Sequence, residues 1–301
     1  MKIVSFMRRA EDAPRAGALI NDGSEVLDFA AATGLAASGN DWFDVASDAH
    51  TAARAVFERA TSDADAARAL RDGASLLGAS DVCMLSPVPR PGKVICIGLN
   101  YKDHAAESKM DLPERPLCFS KFSNCVVGPG AEVVMPLGSE QVDYEAELGV
   151  VIGKRAWRVK AEDAMDHVLG YTNVNDVSAR DFQFADGQWQ RGKSCETFCP
   201  TGPWIVTPDE IADPHVLRIQ FRLNGTTLQD SSTDQLHHRV PELIEHLSAF
   251  VALEPGDLIA TGTPPGVGFA RTPPIWVNAG DTMEVEIEGL GVLSNPVVLR
   301  D

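Results

Sequence analysis

Glu145 and Glu147 lie one residue apart in the run Val142-Asp143-Tyr144-Glu145-Ala146-Glu147-Leu148-Gly149-Val150-Val151-Ile152-Gly153, at the head of an apolar stretch with the composition of a buried strand. On a strand, residues i and i+2 point to the same side, so both carboxylates share a face with Cβ atoms roughly 7 Å apart. Two like charges beside a core need a counter-charge, and a hard divalent cation with oxygen ligands supplies one. The same alternation also describes the solvent face of a half-exposed edge strand. The pair alone leaves both readings open.

Three further segments carry reactive groups. In Gly98-Leu99-Asn100-Tyr101-Lys102-Asp103-His104-Ala105-Ala106-Glu107, His104 and Glu107 are three residues apart. On a helical turn they face the same way, and the carboxylate can orient the imidazole as a general base that activates water. An incidental surface ion pair has the same spacing. Asp176 ends the β-forming run that starts at Gly170 and offers a third carboxylate, or only a cap for the next turn of chain. Lys193, just after Gly192, can pair with a substrate carboxylate or a developing enolate, or stay solvated in a loop. The bend Thr261-Gly262-Thr263-Pro264-Pro265-Gly266-Val267-Gly268 has free amides suited to an anion but lacks the lysine of a phosphate loop. The histidines and thiols show no zinc spacing.

The elements that must position these groups can be read from composition and punctuation. The chain has 301 residues, 44% of them apolar and 23% charged, as in an ordinary soluble globular protein. Its formal charge of -17 disfavours nonspecific binding to nucleic acid or anionic membrane. No apolar run approaches the roughly 20 residues that span a bilayer, and the N-terminus lacks a signal-peptide core. The six cysteines, Cys83, Cys96, Cys118, Cys125, Cys195 and Cys199, form no CxxC pair and read as reduced, which predicts a cytoplasmic protein.

Residues 1–75 alternate short strands (Lys2 to Phe6, Ala18 to Ile20, Glu25 to Asp28) with an alanine-rich helical section, and are predicted to form a small N-terminal α+β domain. A proline-rich connector over 76–90 leads to residues 91–301, where β-formers dominate and glycine and proline punctuate. Only two helices are predicted there, near Ala161 to Val168 and Val240 to Val251. The fold class is α+β, with a β-rich body of two packed layers or a partly closed roll.

The succession GLNYKDHAAE, DYEAELGVVIG, GYTNVNDVSARDFQ, GKSCETF and TGTPPGVG, in that order from Gly98 to Gly268, resembles the fumarylacetoacetate hydrolase family. The resemblance implies that Glu145, Glu147 and Asp176 bind Mg2+, or Mn2+ or Ca2+. It implies that His104 and Glu107 form a water-activating dyad and that Lys193 assists at the substrate oxygens. Tyr101, Arg180, Gln183, Thr197, Gly262 and Thr263 fall on motif positions that line the family's pocket. Asn100 stands near where the animal enzyme that names the family has a fourth acidic ligand, so this chain resembles the smaller bacterial and mitochondrial branch.

The activity implied is metal-dependent hydrolysis of a carbon–carbon bond in an acylpyruvate-type β-diketo acid, such as fumarylpyruvate, maleylpyruvate or a 2,4-diketo-3-deoxy sugar acid. The alternative is oxaloacetate decarboxylation, or a lyase, hydratase or isomerase reaction of another 2-oxo acid at the same site. A protein that only bound oxo acids would not need the dyad. The polar stretch from Ser108 to Pro116 is predicted to close as a lid, and its charges hint at a polar acyl part. The family habit implies a homodimer.

Overall fold

The computed structural model describes residues 1–9, 13–185 and 187–300. Its main sheet is built around two strands that are buried along their whole length, Ala146–Ile152 and Val168–Asn175, paired antiparallel from Ala146↔Asn175 to Ile152↔Val168. A strand buried on both faces favours apolar residues on both, as Leu148 to Ile152 supply, while the buried polar residues Glu147, Thr172, Asn173 and Asn175 lie toward the end that carries the carboxylates. Gly149 lets the pair pack closely, since a Cβ there would meet Val174 Cγ2 at 2.7 Å.

On one side of this pair come Leu258–Ala260, Val94–Gly98 and, at the edge, Leu117–Lys121. On the other side Cys199–Val206 leads to the N-terminal strands Lys2–Arg8, Arg15–Ile20, Glu25–Asp28 and Leu76–Gly78. The N-terminal strands thus extend the sheet that carries the reactive residues, through Lys2↔Val206 and Ile3↔Ile205. The helices Asp48–Ser62 and Ala64–Asp72 fill the predicted alanine-rich section. Asp63 stops the first and caps the second, accepting the amides of Asp65 and Ala66.

A second, five-stranded sheet contains Arg218–Leu223, Thr226–Ser232, Thr282–Ile287 and Gly291–Val298. It packs against the first sheet, with Tyr144 stacked on Phe221 at 4.0 Å between ring centroids. The β-rich two-layer α+β architecture agrees with the sequence reading. The helix count does not. Val240–Ser248 is an α-helix, but Ala161–His167 is a 3-10 segment, and three short helices appear besides, at Lys102–Ser108, Arg180–Ala185 and Gln190–Lys193. One or two turns are too short for an apolar repeat to show, and tertiary packing holds them. All three carry reactive side chains. Among the described residues no helix is long and apolar enough to cross a membrane, and all six cysteines are free thiols.

Candidate functional site

The two central strands bring the three carboxylates together. Glu147 is the second residue of Ala146–Ile152, Glu145 immediately precedes that strand, and Asp176 immediately follows Val168–Asn175. Two bonds tie the chain together past both strand ends: the Asp176 amide donates to the Glu145 carbonyl at 2.9 Å, and the Glu145 amide donates to the side-chain Oδ1 of Asn175 at 3.1 Å. One ligand oxygen from each of Glu145, Glu147 and Asp176 falls within a 4.8 Å cluster, and all three residues are buried. The exposed-strand reading of the glutamate pair is thereby excluded.

Counter-charges surround the cluster unevenly. Lys193 Nζ donates to Glu145 Oε2 at 2.7 Å and to Asp176 Oδ2 at 2.8 Å. Arg180 donates to Glu145 Oε1 at 2.6 Å, to Asp143 Oδ2 at 2.8 Å and to Gln183 Oε1 at 2.9 Å. Burial pushes the Glu145 carboxyl up, but Lys193 and Arg180 outweigh it and hold the group at about 2. Among the described residues the Glu147 carboxylate accepts only the Gly262 amide, at 2.9 Å. Burial first, then the charges of Asp176 and Glu145, push the Glu147 carboxyl well above the usual carboxylate range. An all-oxygen set with one uncompensated carboxylate fits a hard divalent ion, held by Glu145, Glu147 and Asp176.

Two participants escape sequence reasoning. Lys121, on the edge strand, donates from Nζ to Asp176 Oδ1 at 2.5 Å and to the Val177 carbonyl at 2.9 Å, with its side chain fully buried. Asp143 receives Arg180 and the amides of Gly268 (2.7 Å) and Phe269 (3.2 Å). Counting both, four carboxylates face three cations, leaving one net negative charge that a divalent ion turns into one net positive charge. The loaded site then favours an anionic ligand. A lysine in a short edge strand ordinarily points to solvent, so only its apolar neighbours Phe119 and Phe122 hint at burial. Lys121→Met is expected to destabilise the fold by about 3–5 kcal/mol, because Asp176 keeps its charge and loses a buried partner. Urea denaturation measures this, and an unchanged midpoint would remove Lys121 from the network.

The dyad forms as the spacing predicts. His104 and Glu107 lie on Lys102–Ser108, and His104 Nδ1 is 3.2 Å from Glu107 Oε2. The Gly266 amide donates to both oxygens of Glu107, at 3.1 and 3.2 Å, so the carboxylate is itself held. With Nδ1 committed, Nε2 is the nitrogen left for a ligand. The glycine-rich bend therefore does bind anions, but they are the protein's own: Gly262 takes Glu147, Gly266 takes Glu107 and Gly268 takes Asp143.

His104, Glu145, Glu147, Arg180, Gln183, Lys193 and Thr263 all line one cavity of about 240 Å³. Asp176 sits behind it through Lys193. Gly192 permits this approach, since a Cβ there would meet the Ala179 carbonyl oxygen at 2.6 Å. Three of the six residues expected to line the pocket do not line the wall: Tyr101 is fully buried, Thr197 accepts the Val134 amide at 2.8 Å, and Gly262 acts through Glu147; Glu107 also lies off the wall, behind His104. Asn100 is a clip, donating to the carbonyls of His238 and Thr261 and accepting the His238 amide. The rest of the wall is apolar, including Met110, Leu117, Phe119, Phe184, Trp189 and Phe269. It gives no support to the polar acyl part hinted at by the 108–116 stretch, whose charged residues stay off the wall.

Comparisons with known proteins identify the family of the chain. Residues 93–298 match the model of the fumarylacetoacetate (FAA) hydrolase C-terminal family. The chain is 42% identical to a mitochondrial oxaloacetate tautomerase of Xenopus laevis over 301 residues, covering 99% of this chain and 90% of that protein. It is 50% identical to a mitochondrial oxaloacetate tautomerase of Homo sapiens over 235 residues, covering 77% of this chain and 75% of that one. The solved fumarylacetoacetate hydrolase of psychrophilic Exiguobacterium antarcticum superposes with a TM-score of 0.81 at 33% identity, each chain covered completely. Relatives named as mitochondrial proteins give the cytoplasmic expectation no support. Matched across two thirds of its length by the family model and nearly end to end by a relative, the chain belongs to the fumarylacetoacetate hydrolase family.

Proposed function

We propose that the protein interconverts the enol and keto forms of oxaloacetate, or of a similarly small 2-oxo diacid, with a divalent metal. The observation that carries this reading is the sharing of one cavity of about 240 Å³ by His104, with its Nδ1 committed to Glu107, and by Glu145, Glu147 and Lys193. A cavity of that size suits a compact acid, and the names of the two tautomerase relatives support the choice. This reading falls within the 2-oxo acid isomerase alternative drawn from the sequence.

In the enol-to-keto direction the enol O–H bond breaks with its proton passing to His104 Nε2, the C2 carbonyl forms, and His104 delivers that proton to C3, so that no proton is gained or lost. His104 carries that proton on Nε2, while Glu107 stabilises the charged imidazole; in the reverse direction His104 removes it. Lys193 lines the cavity as the cation available to the oxygen on which charge develops, and Arg180 holds Glu145 in place. A bound divalent ion supplies Lewis acidity to the oxygens of a 2-oxo carboxylate. The mostly apolar wall disfavours water beside the enol, which limits side reactions.

Hydrolysis of an acylpyruvate is the second reading, favoured by the same dyad, because an imidazole able to take a C3 proton can also take one from water. It needs room for an acyl group and a water together. Following the ultraviolet absorbance of oxaloacetate enol with Mg2+ or Mn2+ tests the proposal. A metal-dependent acceleration is expected. No acceleration, with pyruvate released from acylpyruvates instead, would reverse the order of the two readings.

A further inference from the structure

Gln229 lies on Thr226–Ser232 of the second sheet, 1% exposed, and takes part in none of the chemistry above. Its side-chain oxygen accepts the Ala146 amide at 2.9 Å, between the two ligand glutamates. Its nitrogen donates to the Pro264 carbonyl at 2.8 Å and to Thr263 Oγ1 at 2.8 Å. The orientation of this amide is settled by its partners: an amide N–H requires the oxygen, and a carbonyl requires the nitrogen. Both of its protons are then spent, one of them on Thr263.

A threonine hydroxyl that accepts from a fixed donor must turn its own proton elsewhere. Among the described residues no protein acceptor takes the Thr263 proton, and Thr263 lines the reaction cavity while being 6% exposed. We infer that Gln229 is a positioning residue that fixes the Thr263 hydroxyl as a hydrogen-bond donor into the cavity. The cavity thereby selects ligands that present a pure acceptor there, a carboxylate oxygen, over ligands that present a hydroxyl or amide N–H. The inference rests on the reading of this cavity as a 2-oxo acid site. It extends that reading by naming the residue in the second sheet that sets the polarity of the wall.

The donor is also independent of pH. Lys193 and Arg180 are already shared with protein carboxylates, so a neutral donor aimed by a buried amide supplies a contact they do not. Glutamate at position 229 would keep an acceptor for the Ala146 amide but present a second acceptor to Thr263, whose proton would turn away from the cavity.

Calorimetric titration of the Mg2+-loaded protein with oxalate, an unreactive acid with two adjacent carboxylates, tests this. Thr263→Val is expected to weaken oxalate by roughly 10- to 100-fold, the range of a hydrogen bond to a charged group. Thr263→Ser keeps the hydroxyl and should bind like the unaltered protein. Gln229→Glu should weaken oxalate to a similar degree as Thr263→Val, and the double variant should be no weaker than Thr263→Val alone. If Gln229→Glu does not fold, Gln229→Met closes the same cycle. Additive losses, or full affinity in Thr263→Val, would overturn the inference, since a merely structural glutamine would not couple to that hydroxyl. Coupled oxalate binding without oxaloacetate turnover would remove the tautomerase reading and leave this one standing. Turnover with uncoupled binding would do the opposite.

Discussion

Glu147→Gln is expected to lower metal-dependent turnover by about 10³-fold or more and, in metal-free protein at neutral pH, to raise the melting temperature. The two effects have one cause. The buried Glu147 carboxyl faces Asp176 and Glu145 and accepts a single hydrogen bond among the described residues, so its ionised form is costly until a cation arrives. Glutamine removes that cost and the ligand charge together. Because burial and the neighbouring charges raise the folded-state value above the ordinary 4.5, the folded protein holds the proton more tightly than the unfolded chain. The protein's stability relative to the glutamine variant is therefore undiminished below about 4.5. It is lost as pH rises through the folded-state value of Glu147. Glu145, held at about 2, titrates in the opposite sense but is common to both proteins and cancels in the comparison. Melting curves in chelator across pH should show the variant's advantage growing as pH rises. Added Mg2+ should then stabilise the unaltered protein more than the variant. A variant less stable in chelator at neutral pH, or one that keeps its turnover, would contradict the assignment of Glu147 as a metal ligand. Glu145→Ala should lose turnover to the same degree, but without the gain in stability, because Lys193 and Arg180 both lose a buried partner.

The contrast between these glutamates shows what the sequence could and could not express. Their spacing places both on one side of the chain, and the apolar run after Glu147 signals burial, so a carboxylate pair in need of charge was legible. Which carboxylate is already neutralised was not. That depends on Lys193 and Arg180, 48 and 35 residues away in the chain, whose side chains reach Glu145 and not Glu147. Lys121 and Gln229 were invisible for a related reason: each belongs to a strand whose local pattern says nothing about the site, and each reaches it by a side-chain bond to a distant segment, Lys121 to Asp176 and Gln229 to Ala146. The glycine-rich bend was legible as a source of free amides but not as the clamp on Glu107, Asp143 and Glu147 that it forms. Local residue types thus marked the helix-borne dyad and the strand-end ligands. The polar partners that orient them come from strand order and sheet packing, which the order of motifs along the chain does not encode.

His104→Ala is expected to slow enol–keto interconversion by about 10²- to 10⁴-fold, the usual contribution of a positioned proton donor or acceptor, while leaving oxalate affinity nearly intact. The separation comes from the cavity. His104 contributes one face, and the cluster that would hold an acid's oxygens through a divalent ion is built by Glu145, Glu147, Asp176 and Lys193 without it. The same variant sorts the reactions open to this site. Tautomerisation moves a proton at C3, and hydrolysis needs a proton taken from water, so both should fall together. Decarboxylation of oxaloacetate releases carbon dioxide by electron flow toward the 2-oxygen, and its carbon–carbon cleavage requires neither proton transfer by His104 nor an attacking water. Measured side by side in His104→Ala, decarboxylation should therefore retain much of its rate. Glu107→Gln should show a smaller loss in the same pattern, because it keeps an acceptor for Nδ1–H but no longer stabilises the charged imidazole. Equal loss of all three reactions would mean that the dyad shapes the cavity rather than moving protons, and oxalate affinity would then fall with them.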